Sequence, residues 1–355
     1  MNITLKEPLA IHELGQRKNQ EDSLYPALGS ATLDSRLFVV CDGMGGHEKG
    51  EVASATVCRA FSDYIAGRAD FSDVIDDNLL HNALDYAYTQ LDAADDGAYK
   101  KMGTTLTLVL FHKGGVTMTH IGDSRIYHIR PGIPRLLYVS RDHSLVFDLY
   151  AAGELAYGEM KTDRRKNIVT RALMPGEDVR TTLAIAHTTD VQPGDYFYLC
   201  SDGMLENMDD GELTDILCGT GSNEDKAHEL VRRTADNRDN HTAYLIQVAA
   251  VRREEGDNQL RHDEHTTRCN ALNIRPHSNE DENHNAYNGN ANEGFVTPPK
   301  QAAPTPSPTQ TQPARRHSTR VSDLGAQISL RWLAAGLVLA IFGLALAFIL
   351  YLLRA

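Results

Sequence analysis

The chain has 355 residues, of which 41% are hydrophobic, so it is long enough for one or two domains with a sizeable core. Its formal net charge of −13 argues against general nucleic-acid binding, which requires basic surfaces. The five cysteines form no CxxC pair and indicate a reduced compartment rather than a disulfide framework. The N-terminus contains no uninterrupted apolar stretch, so no secretory signal is predicted.

Composition divides the chain into three regions. Residues 1–252 alternate strand-like apolar runs with helical patterns and are predicted to form the folded domain. Residues 253–331 are rich in Asn, His and acidic residues, then in Pro, Thr and Gln, and are predicted to be a disordered linker because they have too little apolar surface to offset the entropy of ordering. Residues 332–353 are apolar and uncharged, which predicts one transmembrane helix, with a buried core helix as the alternative.

The charges beside the apolar segment predict its orientation. Arg315, Arg316, Arg320 and Arg331 precede it, whereas only Arg354 follows it. Because positive residues tend to stay on the cytoplasmic side, we expect a single-pass protein of the cell (inner) membrane whose large N-terminal region faces the cytoplasm.

Within the first region, the patterns predict helices and an antiparallel sheet. Residues 103–129 read as two strands around a Gly-Gly turn, followed by a third strand after the sequence GDS. Strands joined by hairpins, together with amphipathic helices, favour a sheet core covered by helices. The other predicted strands are 196–202 and 242–251, and the predicted helices are 50–66, 76–94, 210–218 and 223–236.

Four aspartates lie beside predicted strands. Asp42, Asp123 and Asp202 each close an apolar run, and Asp239 lies just before one. Acids at the ends of strands can converge at the rim of a sheet, where their carboxylates repel one another unless protons or cations neutralise them. Because oxygen ligands suit Mg²⁺ and Mn²⁺, the pattern predicts a metal-dependent enzyme.

Two further segments carry candidate site residues. Asp42 is followed by a glycine-rich turn in which the Gly43 carbonyl is a natural cation ligand, although a plain turn leading into a helix is the alternative. In the earlier polar run, Arg17 offers a planar fork for phosphate oxygens, and Glu21 or Asp22 would then support a cation. A solvated loop is the alternative for this run.

The joint order of these motifs is more specific than any one of them. The sequence contains a series of short motifs in a fixed order over roughly residues 8–252. They are an early Arg followed by Glu-Asp, then DGMGG, GTTL, GDSR, RDHS, TRAL, SDG and DNHT. This series resembles the metal-dependent protein phosphatase family, also called protein phosphatase 2C. The resemblance implies an α+β fold, an αββα sandwich of two antiparallel sheets flanked by helices.

The resemblance also implies a set of ligands for two metal ions. Asp42 resembles the carboxylate that bridges the two metals, and Gly43 matches the family's backbone-carbonyl ligand. Asp202 and Asp239 match the other carboxylates on the first metal. Glu21 resembles the acid that reaches the second metal through water.

Other family features follow from the same resemblance. Asp123 and Asp202 match the pair that holds a third, weaker metal in bacterial members, and Arg17 matches the phosphate-binding arginine. Residues 143–175 correspond to the variable flap. The chain departs from eukaryotic relatives at Met44, where they often have His, and we do not transfer that role to His47. It also lacks the glycines that usually precede the final Asp-Asn.

The sequence therefore predicts a serine/threonine protein phosphatase that uses Mn²⁺ or Mg²⁺, two ions per site and a third weaker one. It is expected to hydrolyse phosphoserine and phosphothreonine in proteins with a metal-activated water, opposing protein kinases at the membrane. The predicted partners are protein kinases and their substrates, together with the membrane, and no nucleic acid. One alternative is a catalytically inactive scaffold that binds phosphoproteins, and another is a phosphatase dedicated to one regulatory partner.

Overall fold

The computed structural model describes residues 1–45, 49–97, 102–132 and 135–253. Its twelve strands in the described residues are β1 Asn2–Leu5, β2 Leu9–Glu13, β3 Asp22–Tyr25, β4 Leu37–Met44, β5 Gly103–Thr104, β6 Leu106–His112, β7 Gly115–Ile121, β8 Arg125–Arg130, β9 Arg135–Val139, β10 Ala184–Thr188, β11 Tyr196–Cys200 and β12 His241–Arg252. The α-helices are α1 Lys49–Ala66, α2 Asp77–Ala94, α3 Leu145–Ala151, α4 Asp210–Cys218 and α5 Asn223–Thr234, and short 3₁₀ turns span Tyr157–Glu159 and Asp202–Leu205.

The strands form two antiparallel sheets. The first sheet has the order β1-β12-β11-β8-β9, and β2 also pairs with β12. The second has the order β10-β7-β6-β4-β3, and β5 also pairs with β4. The long strand β12 pairs with β2 through residues 241–245 and with β1 through residues 248–252. Because of this pairing, the N-terminal strands are tied to the last strand of the domain.

Three apolar layers hold the sheets and helices together. Between the sheets, Phe38 and Phe111 of the second sheet pack edge-on against Tyr244 and Phe197 of the first. On the outer face of the second sheet, a separate buried cluster joins it to α1 and α2, and a third joins the first sheet to α4 and α5. Alternating side chains of a strand face opposite sides, so each sheet contributes to two layers. The prediction of two antiparallel sheets with helices outside them is confirmed.

The helices begin where polar side chains cap them. Asp76 accepts hydrogen bonds from the first turn of α2. Asp209 with Glu212, and Ser222 with Asp225, form reciprocal capping boxes at the starts of α4 and α5. These pairs satisfy backbone N–H groups that have no partner within the helix. They explain why the helices predicted over 210–218 and 223–236 begin where they do.

Most of the predicted elements are present, and some short elements were not predicted. The helices predicted at 50–66 and 76–94 match α1 and α2 to within one residue at each end. The seven-residue α3 and five-residue β10 were not predicted, whereas the equally short β11 was predicted because it is a continuous apolar run. In the described residues no helix has the length and apolar character needed to cross a membrane, and the predicted linker and span lie outside these residues.

A buried histidine predicts how the fold responds to acid. The His112 Nδ1 atom accepts hydrogen bonds from the backbone N–H groups of Ile75 and Gly114, at 3.3 and 3.2 Å, while Nε2 lies 2.9 Å from Thr117 Oγ1. Burial, and then the charge of His187, lowers the pKa of His112 to about 4. The unfolded chain therefore binds this proton at higher pH than the fold does, so stability is lost as pH falls from 6.5 towards 4.

We expect this histidine to account for about 2 kcal/mol of lost stability at pH 5, from the difference in pKa. Urea unfolding of the wild type and of His112→Gln, at pH 7.5 and pH 5, measures the effect. The variant should lose less stability on acidification than the wild type, and the exposed-site control His81→Gln should behave like the wild type. Equal acid sensitivity of the wild type and His112→Gln would contradict the prediction.

Candidate active site at the strand ends

The fold brings the predicted aspartates to one end of the two sheets. Asp42 lies near the end of β4, Asp123 two residues beyond β7, and Asp202 two residues beyond β11. Asp239 lies two residues before β12. Asp123, Asp202 and Asp239 thus each lie next to the end of a strand, and packing of the core fixes the position of that strand.

The electrostatics show that these carboxyl groups are close neighbours. Burial raises the pKa of Asp42 well above its usual value, and the nearby charges of Asp22, Asp202, Asp123 and Asp239 raise it further. Burial also raises the pKa of Asp202, the nearby charge of Asp239 raises it further, and the neighbouring Asp42 carboxyl group opposes the rise. Such a group of buried acids is stabilised by protons or by cations.

One member of this group, Asp22, was named from sequence only as an alternative to Glu21. Asp22 is 5% exposed and lies directly opposite Asp42 in the β3–β4 ladder. It accepts a hydrogen bond of 2.8 Å from Ser201 Oγ, and burial raises its pKa to about 7. The family resemblance favours Glu21 as the cation ligand of this segment, whereas Asp22 is the residue that faces Asp42. Side chains of a strand alternate between its two faces, so recognising β3 as a strand would have predicted that Asp22 points into the interior.

Glu21 lies beside the group rather than within it. Its side chain is partly exposed, and burial is the largest cause of the raised pKa. Its backbone is fixed from two sides, because the Glu21 N–H donates to Asn240 Oδ1 at 2.8 Å and the Glu21 carbonyl accepts from Ser54 Oγ at 2.5 Å. Asn240, the second residue of the final Asp-Asn pair, therefore positions the loop that carries Glu21.

Arg17 is directed at the same group of acids. Its Nη2 donates to Asp239 Oδ2 at 2.6 Å, and Nη1 lies 3.9 Å from Glu21 Oε2. The hydrogen bond with Asp239 is the main reason that the pKa of Arg17 is raised. About half of the Arg17 side chain remains exposed to solvent. The guanidinium is therefore both fixed by a carboxylate and available to an anion from solution.

The backbone around Asp42 is held by the GTTL motif. The Asp42 N–H donates to Thr105 Oγ1 at 2.9 Å, and the Asp42 carbonyl accepts from Thr104 Oγ1 at 2.9 Å. At Gly43, an added Cβ would lie 2.2 Å from the Gly50 carbonyl oxygen and 2.5 Å from that of Glu21. Only glycine permits this approach, so position 43 is packed against the loop of Glu21 and the start of α1.

Asn237, where the family usually has glycine, joins the Asp202 turn to the Asp239 loop. Its side chain is fully buried, and Nδ2 donates to the Gly203 carbonyl at 2.6 Å. Its Oδ1 accepts from Asn207 Nδ2 at 2.7 Å. The neighbouring Glu206 carboxylate accepts from the Arg238 N–H at 2.7 Å. This inter-loop clamp, formed by Asn207, Gly203 and Asn237, sets the spacing between two of the predicted ligands.

A cleft of about 410 Å³ opens over these residues. Asp123, Asp202, Asp239 and Arg17 line it from the strand ends, and residues of the flap line the opposite side. Arg125 forms one wall and holds Asp142 through two hydrogen bonds of 2.7 and 2.6 Å. The site is therefore open to a substrate group and rich in charge on its floor.

The donor set fits hard divalent cations in chemistry and charge. Its members are carboxylates and one carbonyl, the ligands that Mg²⁺ and Mn²⁺ prefer. Across residues 1–253, apart from the three gaps, no group of three or more His, Cys, Asp or Glu side chains is already arranged as a metal site. The Arg17–Asp239 hydrogen bond occupies one carboxylate oxygen of Asp239, which would exchange this bond for a cation.

Comparison with known proteins decides the family. The family profile described as Protein phosphatase 2C matches residues 15–241, well over half of the chain. The chain belongs to the protein phosphatase 2C family. The family resemblance predicted from the motifs is thus confirmed, and the protein is a protein phosphatase of this type. The matched range includes Arg17, Glu21, Asp42, Asp202 and Asp239.

Individual relatives of this protein phosphatase 2C chain are bacterial. Protein phosphatase PhpP of Streptococcus pneumoniae is 28% identical over 66% of this chain and 95% of its own. Serine/threonine protein phosphatase PstP of Mycobacterium tuberculosis is 32% identical over 57% of this chain, but the match spans only 36% of PstP. The crystal structure of the PstP catalytic domain in complex with two manganese ions is 30% identical, with a TM-score of 0.56, and covers 70% of this chain and all of that domain.

Proposed function

We propose that this phosphatase hydrolyses phosphoserine and phosphothreonine in proteins, with Mn²⁺ or Mg²⁺ as cofactor, and so opposes protein kinases. The observation that carries the proposal is the convergence of Asp202 and Asp239 beside Arg17 on an open cleft, with the buried Asp42 next to these acids. Relatives named as serine/threonine phosphatases, and a structural neighbour with two manganese ions, support it.

We assign the cation ligands as the resemblance implies. Asp42 would contact two cations, the Gly43 carbonyl and Glu21 would serve one of them, and Asp202 with Asp239 would serve the other. Asp123, with Asp202, would hold a third. When bound, the cations supply positive charge to the phosphoryl oxygens and acidify the attacking water. Asp22 contributes a buried negative charge next to Asp42 and is held in place by Ser201.

Arg17 would bind the phosphoryl group of the substrate. Its guanidinium now contacts Asp239 through one Nη atom, and half of the side chain faces solvent. If Asp239 binds a cation through the same oxygen, Arg17 exchanges that carboxylate for another anion, and a phosphoryl oxygen suits its planar fork. Cation and substrate binding are thereby linked, and Arg17 stabilises charge on the phosphoryl oxygens during transfer.

A direct assay tests the proposed function. The purified protein is incubated with a phosphothreonine peptide and Mn²⁺, and phosphate release is followed. We expect turnover that EDTA abolishes and that added Mn²⁺ restores. If the protein binds the phosphopeptide without hydrolysing it at any Mn²⁺ or Mg²⁺ concentration, the catalytically inactive scaffold is the better description.

We also propose that the protein acts at the inner membrane through residues 332–353, with its phosphatase domain in the cytoplasm. The uncharged apolar segment and the four arginines before it support this location. Protease added to intact cells should leave the domain uncut, and protease added after the membrane is opened should cleave it. Cleavage in intact cells would overturn the orientation, and recovery in the soluble fraction would overturn the anchor.

A further inference from the structure

The flap beside the active site is a folded unit with a fixed base. The Thr170 N–H donates to the His143 carbonyl at 2.8 Å, and the Leu145 N–H donates to the Ile168 carbonyl at 2.9 Å, so both ends of the segment are joined. Inside it, Val146, Phe147 and Met160 form a small buried cluster of their own. The backbone positions of the flap residues that line the cleft are therefore fixed by these contacts.

Three basic side chains line the cleft and form no ion pair with any residue that the structure describes. Lys161 and Lys166 belong to the flap, and Arg238 extends from the loop before β12. Among the described residues no carboxylate lies within ion-pair distance of any of the three, and Lys161 Nζ donates instead to the Met208 carbonyl at 3.2 Å. We call Lys161, Lys166 and Arg238 the basic rim.

Three arginines in or beside the same flap are paired with acids. Arg125 pairs with Asp142 at 2.6 Å, Arg141 with Asp148 at 3.3 Å, and Arg165 with Asp163 at 2.9 Å. Their charges are thus neutralised within the protein. The side chains of the basic rim have no such ion pair among the described residues, and the Glu206 carboxylate, which also lines the cleft, is held by the Arg238 backbone N–H at 2.7 Å. This positive charge stands out in a chain whose overall charge is −13.

The cleft also has an apolar part between the rim and the acids. Val146 and Met160 come from the flap, and Leu205 and Met208 come from the turn after β11. Val146, Met160 and Met208 are largely buried and form the wall, whereas Leu205 is partly exposed and can contact the uncharged part of a peptide. The basic rim lines the same cleft as the acids. Arg17, which contacts Asp239, is the separate group that faces the reacting phosphoryl group.

We propose that the basic rim is a subsite for a second anionic group of the substrate, located beside the phosphoresidue that is hydrolysed. The inference rests on the proposed function and specifies its substrate class: phosphopeptides that carry flanking negative charge. Asp or Glu side chains and a second phosphoryl group share this chemistry. Exposed charge pairs are individually weak and are screened by salt, so two or three of them give selectivity rather than tight binding.

Four peptides with one phosphothreonine core test the subsite. They carry neutral flanks, Glu flanks, Lys flanks, or a second phosphothreonine, and kcat/KM is measured for each at low and high ionic strength. For the full-length wild type we expect Glu flanks to exceed Lys flanks by about tenfold at low salt, mainly through KM. The advantage should shrink at high salt. A gain confined to the second phosphothreonine would identify the anion as a phosphoryl group.

Charge reversal on the flap provides the decisive comparison. Lys166→Glu should remove or invert the preference, and Lys166→Gln should weaken it. The matched control is Arg164→Glu, which changes the net charge equally on an exposed flap residue that does not line the cleft, and it should keep the wild-type ratio. An identical ratio in the wild type and Lys166→Glu would overturn the subsite, as would an equal shift in the control. Failure of all four peptides with the wild type would instead overturn the proposed function, and the subsite with it.

Discussion

Asp42→Asn should lower kcat on a phosphothreonine peptide by about 10²- to 10³-fold or more, because the amide cannot supply the negative charge that the proposed pair of cations requires. Asp202→Asn and Asp239→Asn should do the same. The change should also stabilise the protein in EDTA, since the raised pKa of Asp42 shows that its charge is unfavourable in the fold. Phosphate release and thermal unfolding measure the two effects.

Thermal unfolding with added Mn²⁺ separates loss of cation binding from loss of structure. A cation that binds the folded state raises its unfolding temperature, and this rise should largely disappear in Asp42→Asn. Asp215→Asn on α4 is the matched control, because it removes the same charge from an exposed position and should retain both activity and the response to Mn²⁺. Near-normal turnover by a folded Asp42→Asn protein would remove Asp42 from the proposed site.

Asn237→Ala should weaken Mn²⁺ binding by about 10- to 100-fold, the scale of effect for residues that orient metal ligands. The substitution removes both bonds of the inter-loop clamp, to Gly203 and from Asn207, so the turn of Asp202 and the loop of Asp239 lose their fixed spacing. Isothermal titration with Mn²⁺ measures the dissociation constant independently of turnover. Asn237→Gly should be as harmful, because here the side chain, and not backbone freedom, joins the loops.

A buried asparagine elsewhere controls for general destabilisation. Asn223, on α5, is 8% exposed and accepts a hydrogen bond of 2.8 Å from the Tyr196 hydroxyl. Asn223→Ala should lower stability by a similar 1–3 kcal/mol, roughly the cost of leaving a buried partner unsatisfied, without changing the Mn²⁺ affinity. Asn207→Ala removes only the outer bond of the clamp and should give a smaller loss of affinity. Unchanged Mn²⁺ binding by Asn237→Ala would show that the clamp serves stability alone.

Elements that a local sequence pattern specifies could be predicted from the sequence alone. Apolar periodicity over 18 residues determines α1 and α2, and alternation with hairpin turns determines β6, β7 and β8. The order of the acidic motifs identified the family, because each motif is a local requirement for a carboxylate after a strand. None of this depends on knowing which strands are neighbours.

Only the tertiary structure decided which residues share the site. Asp22 faces Asp42 because β3 pairs with β4 in one register, and a shift of one residue would have turned Glu21 inwards instead. Asn237 meets Gly203, 34 residues away, and the basic rim meets the acids across a cleft. The sequence by itself was sufficient to predict the longer helices, the apolar strands of the core and the acidic type of the candidate ligands. Long-range pairing decided their distances, because contacts between distant segments leave no periodic signal in either segment alone.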